Sequence, residues 1–386
     1  MTAGVLHCYE DYKWTGPSGP VARLCAELTR RGWRADLSCK MCPPESRPGL
    51  GDRARRMGVN ACDDFYYHSE PNLRRNFRDI MALRDLIDEG RYDIVHAHGS
   101  WDHVLAALAV RRTRRRPVLV RTEHGGRLFS AWNPAHRFQF GRLLTDHLVV
   151  LSDKFRAQAV EALTLDPDRV TRIRGGVDVE KYRASEPPAG IREKFGLSGE
   201  DVVFGIVARV QWHRRFDVLL DAFDRVRKRD PHVKIVVLGR GTHKEEILDC
   251  PVVEMGLQET VYPLGYRRDD YRDVLAMLDA GMMLVPGSDA SCRAAMEMAS
   301  MGKPMVVAER GVLPDIVEDG RTGIAVKDTA QNLATAVLEM AYSPEKRRRW
   351  GKAARERMVA LFSLDRQADA TEDLYRRLLD RRGARA

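Results

Sequence analysis

The strongest constraint on the fold of this chain is a repeated alternation of short apolar runs with longer amphipathic segments. The runs have the length of β-strands and are apolar at nearly every position, which is typical of parallel sheets covered by helices on both faces. They include GVLHCY (4–9), YDIVHAH (92–98), PVLVRTEH (117–124), DHLVVLS (146–152), DVVFGIVARV (201–210), VKIVVLG (233–239), AGMMLVP (280–286) and KPMVVAE (303–309). The alternation predicts an α/β fold built from doubly wound sheets.

The alternation pauses once, in the Gly- and Pro-rich segment GGVDVEKYRASEPPAG, which is the best candidate for a linker. A chain of 386 residues is also too long for one ordinary core. We therefore expect two Rossmann-like domains that face each other across a cleft, residues 1–180 and 181–365. A last helix, 366–386, is expected to cross back to the first domain. Ligands of such sheets bind beyond the carboxyl ends of the strands.

The composition excludes several classes of protein. No apolar run reaches about 18 residues, so no membrane span is expected. The N-terminal segment MTAGVLHCYEDYKW lacks the basic and then apolar pattern of a secretory signal, and seven scattered cysteines do not suggest a disulfide framework. Cytoplasmic residence is the simplest interpretation.

The net charge of +9 comes mostly from arginine and suggests attraction to a polyanion. The sequence has no recognition motif for nucleic acid, so we expect none as a partner. Arg53, Arg55, Arg56, Arg74 and Arg75 could line a basic face of the first domain. One hypothesis is docking on an anionic membrane or on a lipid-linked glycan, and the alternative is an ordinary solvated surface.

Polar and glycine-rich corners follow the strands of the first half. TGPSGP, which contains Gly16, offers backbone amides at the start of a helix. HAHGSW places His96 and His98 on one face of a strand end, where they could bind a metal, but no nearby carboxylate or cysteine is expected to complete such a site. We therefore expect no metal, and His98 is predicted to contact a ligand hydroxyl. RTEHGG repeats the arrangement with Glu123 and His124.

In the second half, VARVQWHRR places Arg209 and Arg214 on either side of a corner, where two guanidinium groups suit a diphosphate. The short Gly-x-Gly of LGRGT, which contains Gly239, lacks the third glycine of a dinucleotide fingerprint. This absence disfavours a dehydrogenase.

The segment GSDASCRAAMEMASMGKP (287–304) resembles a buried helix with an N-cap at Asp289 and a terminating glycine at Gly302. Glu297 is unexpected in its apolar part. Eight helical positions would separate it from Asp289 by about 12 Å, whereas an acid/base pair acting on one bond needs about 5–9.5 Å. The two carboxylates are therefore predicted to hold two parts of one extended ligand, with a diphosphate near the amides of Ser291 and Cys292.

The chain resembles the retaining glycosyltransferases of family 4, which have the GT-B fold. The fragments that carry the resemblance are RIRGGVDVEKY, VARVQWHRRFDVLLDAF, LGYRRDDYRDVLAMLDAGMMLVPGSD, AMEMASMGKPMVVAERGVLPDIVEDGRTGIAV and FSLDR, together with the DIVHAH strand and the turn before LCAELTRRGW. Their order and spacing are more specific than any one of them.

The resemblance implies that the C-terminal domain binds a nucleotide-diphosphate sugar and the N-terminal domain binds the acceptor. It implies that Asp289 holds hydroxyls of the donor sugar and Glu297 the nucleotide ribose. It further implies diphosphate contacts by Arg209 and Arg214. The remaining implied contacts are base recognition by Tyr266 and Arg267, a sugar contact by His98, and a donor contact by the loop glycine Gly16. Gly239 is also placed among the donor-binding residues.

Four positions depart from the pattern of the family. Asp289 stands where the family has Glu, Arg214 where it has Lys, and Arg215 where it has Gly, and the segment GGVD (175–178) has glycine where the family often has asparagine.

The implied reaction is front-face displacement with retention, without a metal or cofactor, in which the departing phosphate takes the acceptor proton. The expected product is a hexosylated glycan or lipid-linked acceptor in cell-surface polysaccharide assembly, made at the inner face of the membrane. A nucleotide-sugar epimerase or hydrolase of the same fold, with Glu123 or His124 activating water, and a non-catalytic nucleotide-sugar-binding protein are the alternatives.

Overall fold

A computed structural model describes residues 3–14, 16–67, 72–124, 138–141, 143–287 and 292–384. Contacts divide these residues into two compact units. The first unit contains residues 3–176 and 364–384, and the second contains 177–287 and 292–363. None of the described helices is long and apolar enough to cross a bilayer.

The first unit contains a seven-stranded parallel sheet with the strand order β3-β2-β1-β4-β5-β6-β7. Its strands are β1 Gly4–Tyr9, β2 Arg34–Lys40, β3 Ala61–Phe65, β4 Ile94–Ala97, β5 Val118–Glu123, β6 His147–Val150 and β7 Val170–Arg172. Its helices up to β7 are α1 Ser18–Arg30, α2 Leu50–Arg56, α3 Leu73–Gly90, α4 Ser100–Val110 and α5 Asp153–Leu163. The strand order reverses between β1 and β4.

Both faces of this sheet are buried, as nearly continuous apolar strands require. Val5 and Val120 belong to one core cluster, which also includes apolar residues of α1 and of the last helix of the chain. Leu6 and Leu119 belong to a second cluster, which includes apolar residues of α3 and α4. Neighbouring positions on one strand therefore point into different cores.

The second unit contains a six-stranded parallel sheet with the order β10-β9-β8-β11-β12-β13. Its strands are β8 Val202–Val207, β9 Val233–Leu238, β10 Val261–Gly265, β11 Ala280–Met283, β12 Met305–Ala308 and β13 Gly323–Val326. Its helices are α6 Ile191–Lys194, α7 Phe216–Arg227, α8 Cys250–Glu254, α9 Tyr271–Ala276, α10 Arg293–Ser300, α11 Leu313–Ile316, α12 Ala330–Ala341 and α13 Pro344–Leu361. This order reverses between β8 and β11.

The last helix, α14 (Leu364–Gly383), packs within the first unit although it follows the second unit in sequence. Leu374 and Tyr375 lie in the core cluster with α1. The Gln367 side chain accepts a hydrogen bond from the backbone N–H of Gly176 at 3.1 Å. Asp369 pairs with Arg31 at 2.6 Å. This helix is therefore part of the first core and not a loose tail.

The prediction of two α/β, Rossmann-like sheets is confirmed, but several boundaries differ. The units meet at residues 176/177 and 363/364, whereas the sequence placed the changes at 180/181 and 365/366. Val177 already forms a β-bridge with Ser363 of the second unit, so the linker belongs to that unit. The sequence also missed β3 and β7, because β3 carries two aspartates and β7 has three residues.

Candidate active site

The order of the strands in the second sheet reverses between β8 and β11. Polar residues lie at the carboxyl ends of these two strands, where ligands of such sheets bind. Arg209 and Arg214 follow β8, and α10 follows β11. Since β8 and β11 are hydrogen-bonded neighbours, the corners that follow them are adjacent.

Glu297 is a fixed carboxylate in α10. It is 5 % exposed and accepts a hydrogen bond from the Tyr271 hydroxyl at 2.7 Å. Its other oxygen pairs with the Arg293 Nε at 3.2 Å, one helical turn away. Burial raises the pKa of Tyr271 well above its usual range, and the Glu297 carboxylate adds to this effect, so Tyr271 stays a donor. The sequence missed Tyr271, which is 26 residues away, and Arg293, although Arg293 stands at helical i,i+4 spacing from Glu297.

The two arginines after β8 have different surroundings. Arg209 is exposed and forms no hydrogen bond or ion pair with any residue of the described ranges. Arg214 is 8 % exposed, and its Nη1 donates to the backbone carbonyls of Val285 at 3.1 Å and Pro286 at 2.7 Å. Arg214 thus ties the corner after β8 to the loop after β11. Diphosphate contact by both arginines stays a prediction.

Arg215 occupies a backbone conformation in which glycine is ordinarily found. Its φ is +60°, and it precedes the first residue of α7. Its guanidinium donates to Asp328 at 2.8 Å. Arg215 therefore adopts the left-handed conformation without being a glycine.

The glycine pair after β9 is explained by close backbone approach. A Cβ on Gly239, whose φ is +156°, would lie 1.9 Å from the carbonyl oxygen of Ala208. A Cβ on Gly241 would lie 1.8 Å from that of Val210. The segment after β9 can therefore approach the segment after β8 this closely only because Gly239 and Gly241 have no side chains. A donor contact at Gly239 remains a prediction beside this structural role.

The two residues predicted to read the base follow β10. Tyr266 is 62 % exposed, and the Arg240 guanidinium lies 4.8 Å from the centre of its ring. Arg267 is held by Asp270, to which its Nε donates at 2.8 Å. Tyr266 is therefore an open aromatic face, whereas Arg267 already has an ionic partner.

The start of α10 differs from the prediction. The residue at the N-cap position is Cys292, which is buried and has a φ of +47°, so the assignment of the N-cap to Asp289 is wrong. The helix therefore begins three residues later than predicted from the preference of aspartate for the N-cap position. Asp289 and Ser291 lie outside the described residues, so their predicted roles and the separation from Glu297 stay predictions. Gly302 follows the helix with a φ of +77°, as predicted for a terminating glycine.

In the first unit, the corresponding reversal lies between β1 and β4. Gly16 forms part of the turn before α1, and Pro17 stands at the N-cap of that helix. His98 directly follows β4 and is 4 % exposed. Both ring nitrogens of His98 are already hydrogen-bonded, to His7 at 2.9 Å and to His124 at 3.0 Å. The prediction that His98 itself contacts a sugar through a nitrogen therefore needs one of these bonds to open.

His96 stacks against His98, with 4.3 Å between the ring centres. Its nitrogens bind the hydroxyls of Tyr375 at 2.6 Å and Thr122 at 2.7 Å. Together with His124 and α14 side chains, these rings line a small cavity with room for about one water molecule. The contacts of His7 with His98 and of Tyr375 with His96 could not be predicted from the sequence, because the partners are 91 and 279 residues apart.

Ligand nitrogens of His7, His96 and His98 lie within 4.8 Å of one another, a spacing at which three side chains could share a metal ion. A metal needs lone pairs that converge on one point about 2.0–2.1 Å from each nitrogen. Here the nitrogens of His7 and His98 face each other at 2.9 Å, and both nitrogens of His96 bind hydroxyls. The rings fit a hydrogen-bonded cluster better than a metal centre. That no metal is required stays a prediction.

Glu123, one of the two residues that would activate water in a hydrolase, pairs with Arg121. The two side chains meet at 2.8 Å, and Arg121 is 2 % exposed. The Glu123 carboxylate is thus already engaged by a buried guanidinium, and this arrangement gives no support to a hydrolase.

The comparisons with known proteins agree with this architecture. The family model Glycosyltransferase Family 4 matches residues 20–181, and the model Glycosyl transferases group 1 matches residues 189–357. The D-inositol 3-phosphate glycosyltransferase of Saccharomonospora viridis is 31% identical, over 92% of this chain and 88% of its own length. A galactosyltransferase of Escherichia coli that acts on GlcNAc-diphosphoundecaprenol is 23% identical, over 79% of this chain and 80% of its own.

Two solved structures share the fold. A glycosyltransferase from Rickettsia africae has a TM-score of 0.83 and 16% identity, with 98% of this chain and 99% of that chain covered. The HepE protein of Anabaena, solved with UDP-glucose, has a TM-score of 0.77 and 18% identity, with 96% and 99% covered. Both sheets, both family models and a relative that is 31% identical over most of its length agree, so this chain belongs to glycosyltransferase family 4 and is a glycosyltransferase of the GT-B fold.

Proposed function

We propose that this glycosyltransferase moves a hexose from a nucleotide-diphosphate sugar, with retention of configuration, to a glycan or lipid-linked acceptor. The C-terminal unit binds the donor and the N-terminal unit the acceptor. The observation that carries the proposal is the set of charges at the β8/β11 reversal: exposed Arg209, anchored Arg214 and the fixed carboxylate of Glu297. Two cations suit a diphosphate, and a carboxylate suits ribose hydroxyls.

The residues act by stabilising the leaving group. Arg209 and Arg214 neutralise the charge that develops on the departing diphosphate, assisted by backbone N–H groups at the start of α10. The departing phosphate takes the proton of the acceptor hydroxyl. No side chain is needed as a nucleophile, and no metal or cofactor takes part.

The names of the relatives suggest which acceptors and donors to assay first. The Saccharomonospora relative is named for an inositol phosphate and the Escherichia coli relative for a diphosphoundecaprenol-linked sugar. The Anabaena neighbour binds UDP-glucose. Inositol 3-phosphate, undecaprenyl-diphosphate-linked GlcNAc and UDP-hexoses therefore form the first panel.

A transfer assay tests the proposal. Protein is incubated with UDP-glucose or UDP-galactose and each acceptor, and the glycoside is analysed by proton NMR. An α-linked product from the α-linked donor supports the proposal. A β-linked product excludes retention, and release of free sugar in place of a glycoside identifies a hydrolase.

We also propose that the enzyme works at the cytoplasmic face of an anionic membrane, docked through the start of α3. Leu73 and Phe77 are 85 % and 61 % exposed, one helical turn apart. Arg74, Arg75 and Arg78 are exposed beside them. Apolar side chains next to several cations match the interface of an anionic bilayer.

Vesicle flotation tests the docking surface. The wild type should float with phosphatidylglycerol vesicles and not with phosphatidylcholine vesicles, and the pair Leu73→Ser and Phe77→Ser should remain in solution. Tyr342→Ser is the matched control, because Tyr342 is 59 % exposed in the second unit. Flotation of the double variant at the wild-type level would refute this surface.

A further inference from the structure

Arg293 and Glu297 stand in the unfavourable order for an ion pair on a helix. Arg293 is the first residue of α10, and Glu297 follows one turn later. The N-terminus of a helix carries a partial positive charge, which disfavours a cation there. At i,i+4 spacing the favourable order places the acid before the base. The pair in α10 violates both preferences.

Other ion pairs at this spacing among the described residues have the favourable order. In each of them the acid comes first: Glu27 with Arg31, Asp224 with Lys228, and Glu372 with Arg376. Helix stability therefore does not explain the order in α10. The reversed pair lies in the helix that follows β11, at the reversal of the second sheet, where a ligand is expected.

The two members of the pair differ in their access to a ligand. The Arg293 side chain is 31 % exposed, whereas the Glu297 side chain is 6 % exposed. Glu297 is also held by Tyr271, whose hydroxyl donates to its second oxygen at 2.7 Å. A guanidinium has five N–H donors in a planar fork and can contact two acceptors at once. Arg293 can therefore hold Glu297 through Nε and still face a ligand.

The side chains assigned to the donor carry a surplus of positive charge. Arg209, Arg214 and Arg293 are cations, and Glu297 is the one carboxylate of this group that the structure describes. Arginine stays protonated in proteins, so three cations against one anion leave two positive charges. The diphosphate of a sugar nucleotide bears one negative charge on each phosphate, which matches this surplus.

Resting on the proposed function, we propose that Arg293 is a third diphosphate-binding residue, which donates to the phosphates of the donor while it holds Glu297 for the ribose. One guanidinium thereby links the recognition of two neighbouring parts of the nucleotide. The reversed order follows from this role. The cation stands at the end of α10 where backbone N–H groups also favour a phosphate, and the carboxylate stands one turn further into the helix.

Affinities for a nucleoside and its diphosphate separate the two contacts. Uridine contains the ribose and UDP adds the diphosphate, so the ratio of their dissociation constants measures the contribution of the phosphates. The full-length chain is titrated with both ligands by NMR, and the same is done with guanosine and GDP and with adenosine and ADP. For the pair that binds most tightly, Arg293→Gln should weaken the diphosphate about tenfold or more and the nucleoside by less than about threefold. Arg293→Lys, which keeps the charge, should recover part of the loss.

Arg376→Gln is the matched control. It breaks another i,i+4 pair between a partly exposed arginine and a largely buried carboxylate, in the first unit, and should leave every affinity unchanged. A thermal melt confirms that each variant is folded.

An unchanged diphosphate affinity in Arg293→Gln would overturn the proposal. Equal losses for nucleoside and diphosphate would also overturn it, because they would show that Arg293 acts only through Glu297. A wild-type chain that binds none of the nucleoside diphosphates contradicts the proposed function itself, and with it this proposal.

Discussion

Replacement of Glu297 by glutamine tests whether this carboxylate binds the nucleotide ribose. Glutamine keeps the shape of the side chain and can still accept the hydrogen bond from Tyr271, but it removes the charge that pairs with Arg293. Because the Arg293 side chain is 31 % exposed and can be hydrated, loss of this pair should cost only about 1 kcal/mol of folding stability. Alanine is less informative, since it would leave the buried Tyr271 hydroxyl without its acceptor.

The effect on ligand binding should be larger than the effect on folding. Hydrogen bonds from ribose hydroxyls to a charged acceptor contribute about 1.5–3 kcal/mol. Their loss weakens binding by about 10- to 150-fold. UDP and UDP-glucose contain the same ribose, so Glu297→Gln should weaken both by the same factor. Asp289→Asn should weaken UDP-glucose alone, because Asp289 is assigned to the transferred sugar.

Titration calorimetry with UDP and UDP-glucose measures these factors, and a thermal melt of each variant confirms that it is folded. The reasoning is refuted if Glu297→Gln keeps both affinities within about twofold of the wild type, or if it weakens UDP-glucose while UDP is unchanged.

Three further outcomes are expected. Gly239→Ala should destabilise the protein by more than about 2 kcal/mol in urea unfolding, because its Cβ would collide with backbone, whereas Gly199→Ala, with open space around it, should be neutral. Tyr375→Phe should cost about 1 kcal/mol through loss of the bond to His96, and an unchanged stability would show that this bond contributes nothing. Acid should destabilise the fold: burial lowers the pKa of His7 to about 3 against about 6.5 when unfolded, so its stabilisation is complete above pH 6.5 and is lost as the pH falls towards 3. At pH 5 this one group should cost about 2 kcal/mol, and equal urea midpoints at pH 7.5 and 5 would contradict the assignment.

The sheets could be predicted from the sequence because their strands are buried on both faces, and such strands consist of continuous apolar residues. β1 was predicted with the bounds that the structure has. The same criterion of a continuous apolar run missed β3, because Asp63 and Asp64 interrupt the apolar pattern of that strand. Asp63 pairs with Arg55 of α2, a tertiary contact that the pattern does not contain.

The candidate site was predictable where a charge stands in an apolar segment, as Glu297 does. It was not predictable where function depends on contacts between distant residues. Tyr271 reaches Glu297 from another helix, and His7 meets His98 across two strands. Local propensity also failed at Asp289, because Cys292 and not Asp289 stands at the N-cap position of α10.

The most direct test of the central claim is a thermal-shift panel of nucleotide-diphosphate sugars, with NAD as the control. A ligand that binds only the folded state raises the melting temperature. The account predicts that at least one UDP-, GDP- or ADP-sugar raises it, that Glu297→Gln removes most of the rise, and that NAD has no effect. A rise with NAD and with none of the sugar nucleotides would contradict it.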